Sequence, residues 1–354
     1  MKIKNFIILG LLAITNLGVN SCQSTKNTNT NNATMEKTNN ETTEENTVTN
    51  ITQEQQTAFL TTLSAGLTVP PRTPILRKPD EFGMDYEEVN FKTTDGVSLK
   101  GWYIPSEGEP KGVIISNHFS PGNRYGFAGH LEGLDFAGGF EVNFLPRYKA
   151  LHEAGYHVLA YDLRVHGESE VGKEGITGVG YYEWQDVLAS ITYVKNKKET
   201  ADLDISLYSM CMGANATINA MEKYPEVFQG IESWIAVQPL KGKTSIERAC
   251  EAMRIDQNKG IEEFETIYNE TTGLKIEDHN IVRKARFIKI PTFYLQVRND
   301  MNSRWTDVQT MFDNTQVADK KIHYVEDTPW RFHGYSYFSE HPEQMIEWFN
   351  KHMK

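Results

Sequence analysis

Cysteine is scarce in this chain. Only Cys22, Cys211 and Cys250 occur among 354 residues. Three cysteines make no disulfide framework, and their spacing suits no zinc site. Basic charge is also in deficit, with 36 Lys and Arg against 47 Asp and Glu and a formal net charge of −11. An acidic surface repels phosphate backbones, so nucleic acid is not an expected partner. No apolar run reaches the roughly 20 residues of a membrane-spanning helix. No internal repeat, phosphate-binding loop, dinucleotide fingerprint or metal-ligand cluster is present, so no cofactor is implied.

What is there begins with an export signal. Lys2 and Lys4 precede an apolar stretch from Phe6 to Val19, which ends in Val19-Asn20-Ser21-Cys22. This end resembles a bacterial lipobox, in which the cysteine takes a lipid and becomes the new N-terminus. The resemblance implies signal residues 1–22, lipid on Cys22 and an envelope lipoprotein held at a membrane; an ordinary cleaved signal and a secreted protein is the alternative. Residues 23–60 are dominated by Asn, Thr and Glu. Such a segment has too little apolar surface to offset its ordering entropy and reads as a disordered tether. The folded domain is expected over 61–354.

Within that domain, Glu87–Lys92 and Val97–Ile104 alternate in polarity across the Asp95-Gly96 turn and read as a hairpin. Six short apolar runs follow, at Gly112–Ile115, Tyr156–Tyr161, Ile205–Tyr208, Trp234–Val237, Pro291–Val297 and Ile322–Val325. Runs of this kind fit strands buried on both faces. Helical spacing separates several of them, over Phe144–Glu153, Tyr182–Val194 and Met212–Tyr224, and recurs over His341–His352. The expected fold is α/β: a mostly parallel eight-stranded sheet flanked by helices. Residues 241–290 hold no convincing strand and read as a small helical cap. The Gly- and aromatic-rich stretch Phe119–Phe144 reads as a long functional loop.

The chemistry gathers at Ser209-Met210-Cys211-Met212-Gly213, which follows a buried strand and opens a helix. Ser209, Gly213, Ala214 and Ala216 are small enough for strand and helix to approach closely. The helix N-terminus favours a thiolate at Cys211. This context matches a nucleophile elbow with cysteine in the serine position. Downstream, Asn299-Asp300 follows one buried run and His333-Gly334-Tyr335 follows the last. Asp162-Leu163-Arg164-Val165-His166-Gly167-Glu168-Ser169 matches a D-x-R-x-H-G-x-S pattern. From about Tyr86 onward the chain therefore resembles the α/β-hydrolase superfamily. Its cysteine elbow is like that of dienelactone hydrolases, and its hairpin and cap are like those of esterases and serine aminopeptidase-type hydrolases.

The resemblance implies a catalytic triad of Cys211, Asp300 and His333, with Asp327 as an alternative acid. It implies an oxyanion hole from the backbone N–H groups of Phe119 and Met212, although Phe119 departs from the family's glycine. Losing one such donor typically costs about 3 kcal/mol of transition-state stabilisation. The implied activity is hydrolysis of an ester, thioester, lactone or amide of a small acyl substrate through a thioacyl intermediate. A non-catalytic binding module and an acyltransferase are the alternatives. His118, His166 and Asp186 are read as loop-orienting residues. A Cys211–Cys250 disulfide would disable this chemistry.

Overall fold

The computed structural model describes residues 51–354. The signal, the lipobox with Cys22 and most of the expected tether lie outside the described residues. Among the described residues no helix is long and apolar enough to cross a membrane.

Eight strands form one sheet: β1 (Glu87–Lys92), β2 (Ser98–Ile104), β3 (Gly112–Asn117), β6 (Tyr156–Tyr161), β7 (Ile205–Met210), β8 (Ile231–Val237), β9 (Thr292–Val297) and β10 (Lys320–Val325). Their order is β1-β2-β6-β3-β7-β8-β9-β10. β1 pairs antiparallel with β2, as does β2 with β6, and the remaining pairs are parallel. This is the mostly parallel eight-stranded sheet expected. The short strands β4 (Gly126–Phe127) and β5 (Val142–Asn143) form a separate ribbon inside the Phe119–Phe144 loop.

The period-two geometry of a strand sends alternate side chains to opposite faces. Val113, Ile115, Leu159, Leu207, Trp234 and Ala236 enter one core. It is closed by α3 (Trp184–Asn196), α4 (Met212–Lys223), α7 (Ile281–Lys284) and α8 (Trp305–Asn314). Ile114, Val158, Tyr208, Met210, Ile235 and Val237 enter the other. That face is covered by α2 (Leu145–Glu153), α9 (Arg331–Glu340) and α10 (Glu343–His352).

The cap contains α5 (Gly242–Ala252) and α6 (Gln257–Thr272) and has its own small core. It also takes in a helix whose first half, Gln53–Leu60, lay inside the expected tether. α1 (Gln53–Thr68) sends Phe59 and Leu60 against Ile246, Cys250, Phe264 and Tyr268. A reciprocal capping box starts this helix: Gln55 N–H donates to Thr52 Oγ1 at 3.2 Å and Thr52 N–H to Gln55 Oε1 at 2.9 Å. Gln56 Nε2 then donates to Glu263 of α6 at 2.6 Å. Order thus begins before residue 60, because Phe59 and Leu60 have an apolar partner in the cap.

Candidate active site

β7 ends at Met210 and α4 starts at Met212, so Cys211 alone makes the turn. Its φ of 47° and ψ of −110° are costly for a residue with a Cβ, by about 1–3 kcal/mol. Hydrogen bonds hold it there: Cys211 N–H donates to Val237 O at 2.9 Å, and Cys211 O accepts from Asn215 N–H at 2.8 Å. Gly213 shows why a small residue must follow. Its N–H donates to His118 O at 3.2 Å. A Cβ at Gly213 would stand 2.7 Å from that same oxygen and 2.8 Å from Asn117 Cβ. Ser209 takes the elbow's first small position, where its Oγ accepts from Asn117 Nδ2 at 2.8 Å.

The Gly213–His118 bond brings Phe119, after β3, beside Met212, after Cys211. Neither Phe119 N–H nor Met212 N–H has a hydrogen-bond partner among the described residues. The Phe119 ring is fully buried and stacks on Tyr335, with centroids 4.1 Å apart at 12°. Phe127, Phe144 and Phe332 meet it nearly edge-on. The aromatic loop therefore walls the elbow with apolar surface.

The remaining triad residues do not assemble as expected. Asp300 is buried, but its partners are not His333. Ser303 Oγ donates to its Oδ2 at 2.5 Å, Asn302 N–H to its Oδ1 at 2.9 Å, and Arg331 Nη1 stands 3.2 Å from Oδ2. His333 is exposed; its Nδ1 is 2.6 Å from Thr328 Oγ1 and its ring lies against Phe140. Among the described residues no hydrogen bond or ion pair joins His333 to Asp300 or to Cys211. Asp327 is exposed in the turn before α9, at a φ of 58°. The structure thus places Phe119 and Met212 beside Cys211, ties Asp300 to Arg331, and joins neither His333 nor Asp327 to Cys211 or Asp300 by a hydrogen bond or ion pair.

Arg331 stands where the base was expected. It is the first residue of α9 and almost wholly buried. Its Nε donates to Tyr335 Oη at 2.6 Å and its Nη2 to Gln238 O at 3.1 Å. Gln238 directly follows Val237, whose carbonyl holds Cys211. Burial opposes the Arg331 charge, but Asp300, Tyr335 and Cys211 favour it and leave it firmly protonated. Burial likewise holds the Tyr335 phenol well above its ordinary range, with Arg331 opposing and Cys211 reinforcing the shift. Cys211 is therefore faced by a permanent cation and a proton-bearing phenol. Arg331 carried one signal in the sequence: it is a lone charge between Trp330 and Phe332.

The D-x-R-x-H-G-x-S segment is scaffolding. Asp162 accepts from Arg124 N–H at 2.7 Å, from the Arg124 guanidinium and from Glu168 N–H at 2.8 Å. Asp186 accepts from Arg164 N–H and Nε, each at 2.8 Å. Burial pushes the Asp186 carboxyl up to about 7 against the pull of Arg164. Both ring nitrogens of His118 are engaged, with Phe119 O and Leu163 N–H. Those of His166 meet Arg164 O and Ser120 Oγ. Burial lowers the basicity of both rings. Cys211 and Cys250 are free thiols.

A cavity of about 40 Å³ opens between cap and core, lined by Leu67, Asn215, Leu240, Ile246, Phe264 and His279 among others. Asn215 places it one helical turn along α4 from Cys211. A larger open groove between α2 and α10, about 640 Å³, is lined by none of the site residues.

The chain has the α/β-hydrolase fold. The serine aminopeptidase family, S33, matches residues 143–244, which span α2 to the start of α5 and include the elbow. An esterase of Pyrococcus furiosus superposes with a TM-score of 0.61 at 22% identity, covering 81% of this chain and 99% of the esterase. The α/β-hydrolase GrgF of a Penicillium species gives 0.52 at 17% identity, over 76% of this chain and 99% of that one. An acylaminoacyl peptidase of Pyrococcus horikoshii gives 0.53 at 15% identity, over 77% of this chain and 42% of the peptidase. No curated protein matches the sequence.

Proposed function

We propose that the protein is an acyl-handling enzyme of the esterase type, with Cys211 as its nucleophile. One observation carries this reading. A cysteine sits at a strained strand-to-helix turn with φ 47°, beside two backbone N–H groups, of Phe119 and Met212, that have no hydrogen-bond partner. Strained backbone of this kind clusters at functional sites, and two unpaired neighbouring N–H donors suit an oxyanion. The Cys211 thiolate adds to a carbonyl of an ester, thioester, lactone or amide, and the two N–H groups hold the oxyanion. The bond from that carbon to its oxygen, sulfur or nitrogen breaks, the leaving group departing with the electron pair and taking a proton from solvent, to give a thioacyl enzyme. The matched hydrolase family and the superposed esterase support the same class of chemistry.

The test is acylation. The chain is mixed with an activated aryl ester and its intact mass is followed. A single acyl adduct, absent from Cys211→Ala, is the expected result. A second reading, a non-catalytic binding module, is favoured by Arg331 in the base's place and by the 7% exposure of Cys211. It predicts no adduct and equal ester turnover by wild type and Cys211→Ala. We further propose that Cys22 carries a lipid that holds the domain at a membrane. Palmitate incorporation that persisted in Cys22→Ala would exclude this.

A further inference from the structure

We infer that the acyl group taken up by Cys211 passes to a thiol rather than to water, so that both the donor and the product are thioesters. This rests on the reading of Cys211 as the acyl-accepting nucleophile.

Hydrolysis of a thioacyl enzyme needs a group that removes a proton from water as it attacks. Among the described residues no such group is hydrogen-bonded to Cys211. Asp300 is committed to Arg331, Ser303 and Asn302. His333 holds Thr328 Oγ1 through Nδ1, and neither of its ring nitrogens is hydrogen-bonded to Cys211 among the described residues. His118 and His166 have both ring nitrogens engaged. Arg331 has only donors and is not deprotonated in proteins. Tyr335 already accepts the Arg331 Nε–H, and burial keeps its own proton in place. The polar groups placed at the elbow are donors: the unpaired N–H groups of Phe119 and Met212, and the Tyr335 hydroxyl and Arg331, which act on Cys211. Arg331 Nη1 has no well-angled hydrogen bond, although it stands 3.2 Å from Asp300. It is a buried cationic donor whose charge is balanced by Asp300.

Thiol exchange needs no base. Some of a free thiol is already thiolate near neutral pH. The Cys211 thiolate adds to the carbonyl of the donor thioester. The carbon–sulfur bond to the donor thiol breaks, and that sulfur leaves with the electron pair as a thiolate. A second thiolate then adds to the Cys211 thioester, the bond to Cys211 breaks, and the Cys211 thiolate is regenerated. No redox change occurs and no proton moves in either half. Each intermediate is an oxyanion flanked by sulfur, which an all-donor site stabilises in both directions. An oxyester with an alkyl leaving group would need a proton for its alkoxide, so such esters are poor donors here.

The experiment uses the full chain and S-hexanoyl-N-acetylcysteamine as the acyl donor. Cys211 acylation is followed by intact mass, and discharge is then timed in buffer and in buffer with millimolar cysteamine. The expected result is a hexanoyl adduct that discharges to the thiol about 100-fold faster than to water, the low end of what a missing general base costs. Discharge to water as fast as to the thiol would overturn the inference and leave the acylation reading intact. Absence of any Cys211 adduct would remove that reading itself. Arg331→His supplies a base beside Asp300; on whatever Cys211 adduct forms, the ratio of discharge to water over discharge to cysteamine should rise by about 10-fold or more relative to wild type. If that variant does not fold, the wild-type comparison decides alone.

Discussion

Arg331 Nη1 lies 3.2 Å from Asp300 Oδ2 inside the protein, while His333, two residues further along α9, faces outward to Thr328. The pair is nearly free of solvent, with side-chain exposures of 6% and 1%. Removing one partner of such a pair leaves an uncompensated buried charge, at a cost of about 3–5 kcal/mol. Asp300→Asn should therefore destabilise the fold by that amount in urea unfolding. His333→Ala removes an exposed side chain and should shift stability by no more than about 1 kcal/mol, with Cys211 acylation retained. Abolished acylation in His333→Ala, with Asp300→Asn as stable as wild type, would reinstate a His333–Asp300 pair.

The element order and the elbow were legible because they rest on local rules. Continuous apolar runs marked the buried strands, and Gly213 behind Cys211 marked a turn where helix and strand nearly touch. The base position was not legible, for a geometric reason. Successive helix residues are 100° apart, so Arg331 and His333 point some 200° from one another. Which of them faces Cys211 depends on where α9 begins. Trp330 precedes that helix without a capping hydrogen bond, so no sequence signal fixed its phase. Residue type and its place after the last apolar run favoured His333. By contrast α1 did carry local signals, the Thr52–Gln55 box and the apolar spacing of Phe59, Leu60, Leu63 and Leu67. They were outweighed by the polar composition of the segment before it.

Gly213 is the elbow's least tolerant position. An alanine methyl there would sit 2.7 Å from His118 O and 2.8 Å from Asn117 Cβ, and the first of these is backbone. Relief requires β3 and α4 to separate, which would break the Gly213 N–H bond to His118 O and move Phe119 N–H from Met212 N–H. Gly213→Ala should lose measurable Cys211 acylation and lower the unfolding temperature by several degrees. An Ala variant acylated at the wild-type rate would show that the two N–H groups do not act together.

The two free thiols of the domain should differ in reactivity. Cys250 has no exposed surface and packs in the cap core; burial, reinforced by Glu251, Asp256 and Glu247, pushes its thiol up to about 11. Near neutral pH it is almost entirely the unreactive thiol. Cys211 retains 7% exposure beside Arg331. A small electrophile such as iodoacetamide should label Cys211 in the native domain and reach Cys250 only on unfolding. Peptide mass mapping of a time course distinguishes the sites, and Cys250 labelled first would contradict this packing.

The cap should lose stability in mild acid through His279. Burial, the largest cause, holds its imidazole down to about 4; Asp278 and Glu183 oppose the shift, and Lys284 adds to it. Its Nε2 lies 2.9 Å from Tyr268 Oη, an arrangement that suits a neutral ring accepting the phenol proton. A group whose folded pKa is depressed binds its proton more readily when unfolded. The stability it contributes is complete above the unfolded value near 6.5 and is lost as pH falls towards the folded value. Between pH 6.5 and pH 5 that loss amounts to about 2 kcal/mol, at 1.36 kcal/mol per pH unit. His118 and His166 act in the same direction. Asp186, raised to about 7 by burial, acts in the opposite one, because its protonated form is favoured in the fold. The contribution of His279 is therefore read as a difference. His279→Gln can still accept from Tyr268 and has no titration. Urea unfolding at pH 7 and pH 5 should show a stability drop smaller than wild type by about 2 kcal/mol. An equal drop in both chains would mean that His279 is already solvated or protonated in the folded cap.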